Sequence, residues 1–179
     1  MTKTRALNIN FFGGPCVGKS ATSAGVFNEL KIRGHNVDIT LEYAKDLVYG
    51  EEWVKLSDQL AVAGEQHHRM FRLQDKVEYA VHDSPFIMGL NYSCNSKLPK
   101  LEFATFLVGQ FNRYQNYNIL LVRNPNLEFK EDGRLQDLAG SIKLDNEIRH
   151  MLDRHGIKYI EVLVDENVVN TICDNIEGK

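Results

Sequence analysis

One short run constrains this chain more than anything else in it. Gly13-Gly14-Pro15-Cys16-Val17-Gly18-Lys19-Ser20 fits G-x-x-x-x-G-K-[ST] at every defined position. A compact apolar run suited to a buried strand, Leu7–Phe12, lies directly before it. A helical pattern from about Lys19 to Arg33 follows, stopped by Gly34. A strand that opens through glycines into a helix makes a nest of backbone N–H groups backed by the positive end of the helix dipole, which suits phosphate oxygens. The backbone from Gly13 through Val17 and Gly18 to Ala21 is therefore the candidate nucleotide cradle. Lys19 is placed to reach the β- and γ-phosphates of ATP, and Ser20 to ligate Mg²⁺.

The remainder alternates between strand and helix patterns. Val37–Thr40, Glu78–His82, Tyr117–Val122 and Lys158–Val164 read as strands. Glu42–Tyr49, Ser57–Asp75, Pro85–Tyr92, Leu101–Tyr114, Leu138–Arg154 and Glu166–Ile176 read as helices, with Trp53 between the first two and Gly156 ending the fifth. Arg123–Gln136, with its Asn-Pro-Asn and Asp-Gly punctuation and clustered charge, reads as a loop. Strands separated by helices imply βαβ crossovers and a mainly parallel sheet covered on both faces. Ligands of such sheets bind at the carboxyl ends of the strands, which directs attention to Gly13, Glu42, Asp83 and Arg123.

Composition sets the outer bounds. A chain of 179 residues is near the size of one domain on a scale of about 150 residues each, and residues 1–179 are expected to form a single one with a lid-like loop at about 123–136. Lys+Arg of 21 against Asp+Glu of 24 gives a net charge of −3, which disfavours a dedicated binder of DNA or anionic membrane. Cys16, Cys94 and Cys173 are odd in number and widely spaced, as expected of reduced thiols in a cytoplasmic protein. No stretch approaches the ~20 apolar residues of a membrane span, so no membrane partner is expected.

The acidic residues after the strands separate one phosphate chemistry from another. Asp83 closes the third strand and could hold Mg²⁺ directly or through water, or, with Ser84 and Pro85, cap the next helix. The residue after Asp83 is Ser84 rather than the water-activating Glu usual in motor ATPases. Glu42, after the second strand, could accept the proton of an attacking hydroxyl; a helix-start Glu favoured by the dipole is the plainer alternative. The proton-accepting role stays open between Glu42 and Asp83. Arg123 and Arg134 bracket the charged loop, and both are candidates for contact with the transferring phosphoryl group.

Taken together, Phe11-Phe12-Gly13-Gly14-Pro15, Gly18-Lys19-Ser20, Glu42-Tyr43-Ala44-Lys45-Asp46, Asp83-Ser84-Pro85 and Gly133-Arg134 resemble the NadR-type, ribosylnicotinamide-kinase-like P-loop family, small phage-encoded members especially. The resemblance covers nearly the whole chain in order. It implies a three-layer α/β P-loop fold of nucleoside/nucleotide-kinase type, a five-stranded parallel sheet in the order 2-3-1-4-5, and a lid after the fourth strand. It also implies ATP·Mg²⁺ as phosphoryl donor and a small nucleoside or nucleotide as acceptor. Where related loops carry a small residue such as Gly or Ala, this chain has Cys16. Catalytic candidates are thus Lys19, Glu42, Asp83, Arg123 and Arg134, with Ser20 and Asp83 for the metal. A kinase acting on a hydroxymethylated base in DNA, and a nucleotide-dependent regulatory protein without an acceptor, are the alternatives.

Weaker signals are read more plainly. Gln66-His67-His68-Arg69 is expected to be a solvated helix face, because neighbouring helical residues point about 100° apart. Tyr43, Trp53 and Phe86 are expected in the core, with stacking on an acceptor base the alternative. Gln110, Arg113 and Tyr114 share helical spacing and could present one polar face to the acceptor. The helix Leu101–Tyr114 is the candidate interface of a homodimer.

Overall fold

The computed structural model of the chain describes residues 5–93, 98–126 and 138–178. Five strands pair in the order β2-β3-β1-β4-β5: β1 is Leu7–Phe12, β2 Val37–Thr40, β3 Tyr79–His82, β4 Gln115–Val122 and β5 Ile160–Leu163. Every pairing is parallel. The three-layer α/β fold expected for a P-loop kinase, in the order 2-3-1-4-5, is the fold observed.

Alternation along β1 divides the interior. Ile9 and Phe11 face the helices α1 (Lys19–Ile32) and α8 (Val168–Glu177), packing with Val26, Leu30 and Ile172. Phe12 faces the opposite layer, made by α4 (Gln59–Phe71), α6 (Lys100–Phe111) and α7 (Leu138–Arg154), and packs with Met70, Phe111 and Ile148. A central parallel strand buried on both faces has to be apolar on both, and β1 is, apart from Asn8 and Asn10.

These two asparagines belong to a polar seam through the second layer. Thr40, His82, Asn10 and Asn118 occupy one register row across β2, β3, β1 and β4. Asn10 Nδ2 donates to Asn118 Oδ1 at 2.9 Å and to Asn116 Oδ1 at 3.0 Å. His82 Nδ1 lies 2.7 Å from Thr40 Oγ1, and His82 Nε2 lies 3.0 Å from Asn8 Oδ1. The Asn8 amide oxygen only accepts, so Nε2 carries the proton and the Thr40 hydroxyl donates to Nδ1. Burial holds this neutral ring's pKa down at about 3.

The connections between β2 and β4 differ from the sequence pattern in instructive ways. The helix expected over Glu42–Tyr49 is α2, Tyr43–Tyr49, with Glu42 at its N-cap position. Trp53 begins a short helix, α3 (Trp53–Ser57), none of whose residues is buried, and is 51% exposed rather than in the core. The stretch from Pro85 to Tyr92 splits into a 3₁₀ turn, Phe86–Met88, and the one-turn α5, Gly89–Tyr92. Pro85 itself is extended, with ψ 147°, so the chain leaves β3 straight before it coils. The helix α6 ends at Phe111, before Arg113 and Tyr114, and the spacing that would have put them on one face with Gln110 lapses there. Among the described residues no helix is long and apolar enough to cross a membrane.

His82 makes stability depend on pH in a known direction. The unfolded ring takes up a proton near pH 6.5 and the folded ring resists it until about 3. The stabilisation is complete above pH 6.5 and is lost progressively as pH falls towards about 3. Across that window, urea unfolding of the wild type should lose stability more steeply than His82→Gln, by up to about 1.4 kcal/mol per pH unit. Parallel curves for the two proteins would show that the ring is not held neutral.

Candidate functional site

The cradle forms where β1 runs out. Gly13 has φ +145° and Gly18 has φ +100°, values that side-chain-bearing residues rarely adopt. Cys16, at φ 61°, takes the same left-handed region, which is the physical reason a glycine is the easier residue there. Gly18 is the N-cap of α1 and supplies no side chain to the first turn. The turn's N–H groups are thereby left to an outside anion. Lys19 Nζ bridges the loop, donating to Gly13 O at 2.7 Å and Gly14 O at 3.1 Å. This places a cation across the concave side of the backbone.

Ser20 and Asp83 meet beneath the loop. Ser20 Oγ donates to Asp83 Oδ2 at 2.7 Å, joining the start of α1 to the residue after β3. Asp83 is only 2% exposed. Its other oxygen, Oδ1, is buried with no hydrogen-bond partner among the described residues. A buried carboxylate oxygen without a partner is costly, and a hard cation or its water is what such an oxygen suits, so the pair fits Mg²⁺. Among the described residues no group of three or more His, Cys, Asp or Glu could hold a metal ion. A cation here would draw its remaining ligands from phosphate oxygens and water.

Glu42 is brought to the same edge. Burial raises its carboxyl pKa above the ordinary 4.5; Lys19 opposes that shift and Asp83 adds to it. Tyr92, at the end of α5, has its hydroxyl pushed up by burial and by the charge of Glu42, and is a member of this edge that its sequence context did not reveal. The turn that carries Glu42 is clamped from α4. Gln66 Oε1 accepts the Tyr43 N–H at 2.8 Å and Gln66 Nε2 donates to Leu41 O at 3.2 Å, so one buried amide brackets Glu42 on both sides. Arg69 adds an ion pair to Asp46 at 2.9 Å and lies over the Tyr43 ring at 4.8 Å. The expectation of a solvated face for Gln66–Arg69 is therefore corrected at Gln66 and Arg69. It is corrected at His67 too, whose Nε2 lies 2.8 Å from the Tyr114 hydroxyl and whose pKa is lowered by burial.

That contact also removes Tyr114 from the acceptor side, because Tyr114 directly precedes β4 and so lies at the amino edge of the sheet. Phe86 and Tyr43 are buried as expected.

Arg123, the residue after β4, does reach the cradle. It donates from Nη2 to Pro15 O at 2.5 Å and from Nε to Asp145 Oδ2 at 2.5 Å. Asp145, on α7, accepts the Gly14 N–H at 2.6 Å. Its place at the loop depends on chain packing far from any local motif. Arg134 and most of the loop expected at 123–136 lie outside the described residues, as does Cys94.

Compared with known proteins, the sequence matches the AAA_28 family model, described as an AAA domain, over residues 8–167. Two solved structures of a deoxyadenosine kinase from M. mycoides share the fold. The one with bound dCTP has a TM-score of 0.59 at 14% identity, covering 97% of this chain and 100% of that one. The one with bound dATP has a TM-score of 0.60 at 16% identity, covering 96% and 99%. No curated protein matches the sequence.

Close approach makes Gly14 intolerant of even a methyl group. A Cβ there would stand 2.7 Å from Asp145 Oδ1 and 2.8 Å from the Ser141 carbonyl oxygen, both on α7. Gly14→Ala should lower stability by about 1–3 kcal/mol through overpacking and weaken ATP binding in an equilibrium titration. An alanine variant with unchanged stability would show that α7 does not abut the loop.

Proposed function

The chain belongs to the AAA_28 family of AAA domains, and from the site at the end of β1 we propose that it is an ATP-dependent phosphotransferase of nucleoside/nucleotide-kinase type. In this reading it moves the γ-phosphate of ATP to a hydroxyl or phosphate of a small nucleoside or nucleotide. The observation that carries the reading is Glu42. It is a half-buried carboxylate of raised pKa, within electrostatic reach of Lys19 and Asp83, at the edge where an acceptor would meet the γ-phosphate. Ser84 following Asp83 supports transfer over motor-type hydrolysis. The fold shared with a deoxyadenosine kinase supports a nucleoside as acceptor. The resemblance to ribosylnicotinamide kinases adds nicotinamide riboside to the candidates. The net charge of −3 supports a free acceptor over duplex DNA.

In the proposed reaction, backbone N–H groups from Gly13 to Ala21 hold the phosphates and Lys19 neutralises charge on the transferring group. Ser20 and Asp83 hold Mg²⁺, whose contribution when bound is to offset the phosphate charge. The acceptor hydroxyl loses its proton to Glu42 as its oxygen bonds to the γ-phosphorus. The bond from that phosphorus to the β–γ bridging oxygen breaks, and ADP leaves with the electron pair. Arg123 stands at the loop's edge, where its guanidinium offsets charge on the phosphates. The rate gain comes from positioning and electrostatics.

A transfer screen from γ-labelled ATP to nucleosides, nucleoside monophosphates, nicotinamide riboside and hydroxymethylated duplex DNA tests this. Label should appear in a small molecule. Label appearing only as free phosphate sinks the kinase reading, and label only in DNA moves the acceptor to the duplex. Lys19→Ala should cost about a hundredfold or more in turnover. Glu42→Gln should cost roughly a hundredfold while sparing ATP binding.

The pH profile supplies an independent check on Glu42. A base must be ionised, so kcat/KM should rise with pH along an acid limb centred above 4.5. That limb should vanish in Glu42→Gln. A variant that keeps full turnover would return the proton to another acceptor.

A further inference from the structure

Asp145 is the charged group at the cradle to which the proposed reaction gives no part. Its carboxylate joins three segments of chain. Oδ1 accepts the Gly14 N–H at 2.6 Å. Oδ2 accepts Arg123 Nε at 2.5 Å, and Arg123 Nη2 completes a side-on approach to Oδ1 at 3.4 Å while donating to Pro15 O at 2.5 Å. The two side chains are only 16% and 21% exposed, so solvent and salt screen the pair less than a surface ion pair. Side-on contact fixes the plane of a guanidinium as well as its distance. The carboxylate also stands on a rigid support, since its neighbours Leu144 and Ile148 on α7 are both in the core.

The Arg123–Asp145 pair adds no net charge to the cradle. It contributes direction. A lone arginine after β4 would bring a mobile cation with rotamer freedom to lose on each binding event, whereas a paired one presents its donors already aimed. The same carboxylate ties the second residue of the loop to α7, so loop and arginine are held in one frame. We propose that Asp145 is a positioning residue of the phosphate site, fixing Arg123 and the Gly14 amide together so that the phosphates of a bound nucleotide meet both in place.

The test is a double-mutant cycle on the full chain, read first as the Kd of a fluorescent ATP analogue with Mg²⁺. Arg123→Ala and Asp145→Asn should each weaken binding roughly tenfold, and the double variant no more than either alone. Effects that multiply overturn the proposal, as does wild-type affinity in Asp145→Asn. Turnover of whichever acceptor the transfer screen yields should show the same non-additivity, and this arm alone rests on the kinase reading. A wild type that binds the analogue but transfers nothing sinks that reading, while the binding cycle still decides Asp145. A wild type that does not bind it overturns both. Should Asp145→Asn fail to fold, Arg123→Ala decides by rescue. Added guanidinium, which can pair side-on with Asp145, should restore affinity, and methylammonium should not. Equal effects of the two ions overturn the proposal.

Discussion

The polar seam through the middle of the sheet is the constraint on which the rest of this structure depends. Thr40, His82, Asn10 and Asn118 share one row of the register, and their hydrogen bonds are made in a layer otherwise filled by Phe12, Met70 and Phe111. Buried polar groups that lose their partners cost far more than apolar neighbours that shift. In an apolar strand a slip of one residue exchanges its two faces; here it would also orphan the seam. Because β2, β3, β1 and β4 are pinned at this row, their carboxyl ends emerge together. Glu42, Asp83, Gly13 and Arg123 all follow within a few residues of it, and the site inherits its geometry from their alignment.

Three carboxylates then crowd the region where a polyanion is to bind, and each meets that conflict differently. Asp83 has one oxygen engaged by Ser20 and the other buried without a partner among the described residues, an environment suited to a cation. Glu42 has its pKa raised by burial, with Asp83 adding to the effect, so it gives up its charge more readily than an ordinary carboxylate. Asp145 is matched by Arg123 at 2.5 Å. Identical chemistry is separated into three different environments by what surrounds each group, and the proposed roles of metal ligand and base follow that separation. On the cationic side, Lys19 rests on loop carbonyls and Arg123 on a loop carbonyl and Asp145. The described cradle is thus held in shape by its own internal partners.

The features legible in the sequence were those with local causes. The cradle is a contiguous run, each strand is an apolar segment between turn residues, and α7 was bounded by its own periodicity at Leu138 and Arg154. Glu42 and Asp83 stand out in the sequence because the carboxyl ends of parallel strands are where such sheets bind ligands. The features that were missed have causes elsewhere in the chain. Gln66 looks like a surface residue until Leu41 and Tyr43 are brought beside it from the turn between β2 and α2. Asp145 is 131 residues from the amide it accepts, and no spacing announces that. Trp53 was expected inside because large aromatics usually are, yet its short helix lies on no buried face.

This division separates the two halves of the proposed reaction. Triphosphate recognition needs backbone N–H groups and a lysine in a fixed local order, so one contiguous motif encodes it, and it serves any acceptor. The edge where the proposed acceptor would enter is assembled from the turn at Glu42, the clamp from Gln66 and Arg69 on α4, and Tyr92 at the end of α5, residues that meet only through tertiary packing. Gln66 holds the backbone on both sides of Glu42, so a shift of α4 against β2 would move the proposed base relative to the phosphates without touching the cradle. In the proposed reaction the seating of α4 would therefore bear on the acceptor side and not on the cradle. Substitutions on its inner face would shift Glu42 through Gln66 while leaving Gly13–Ser20 as it is.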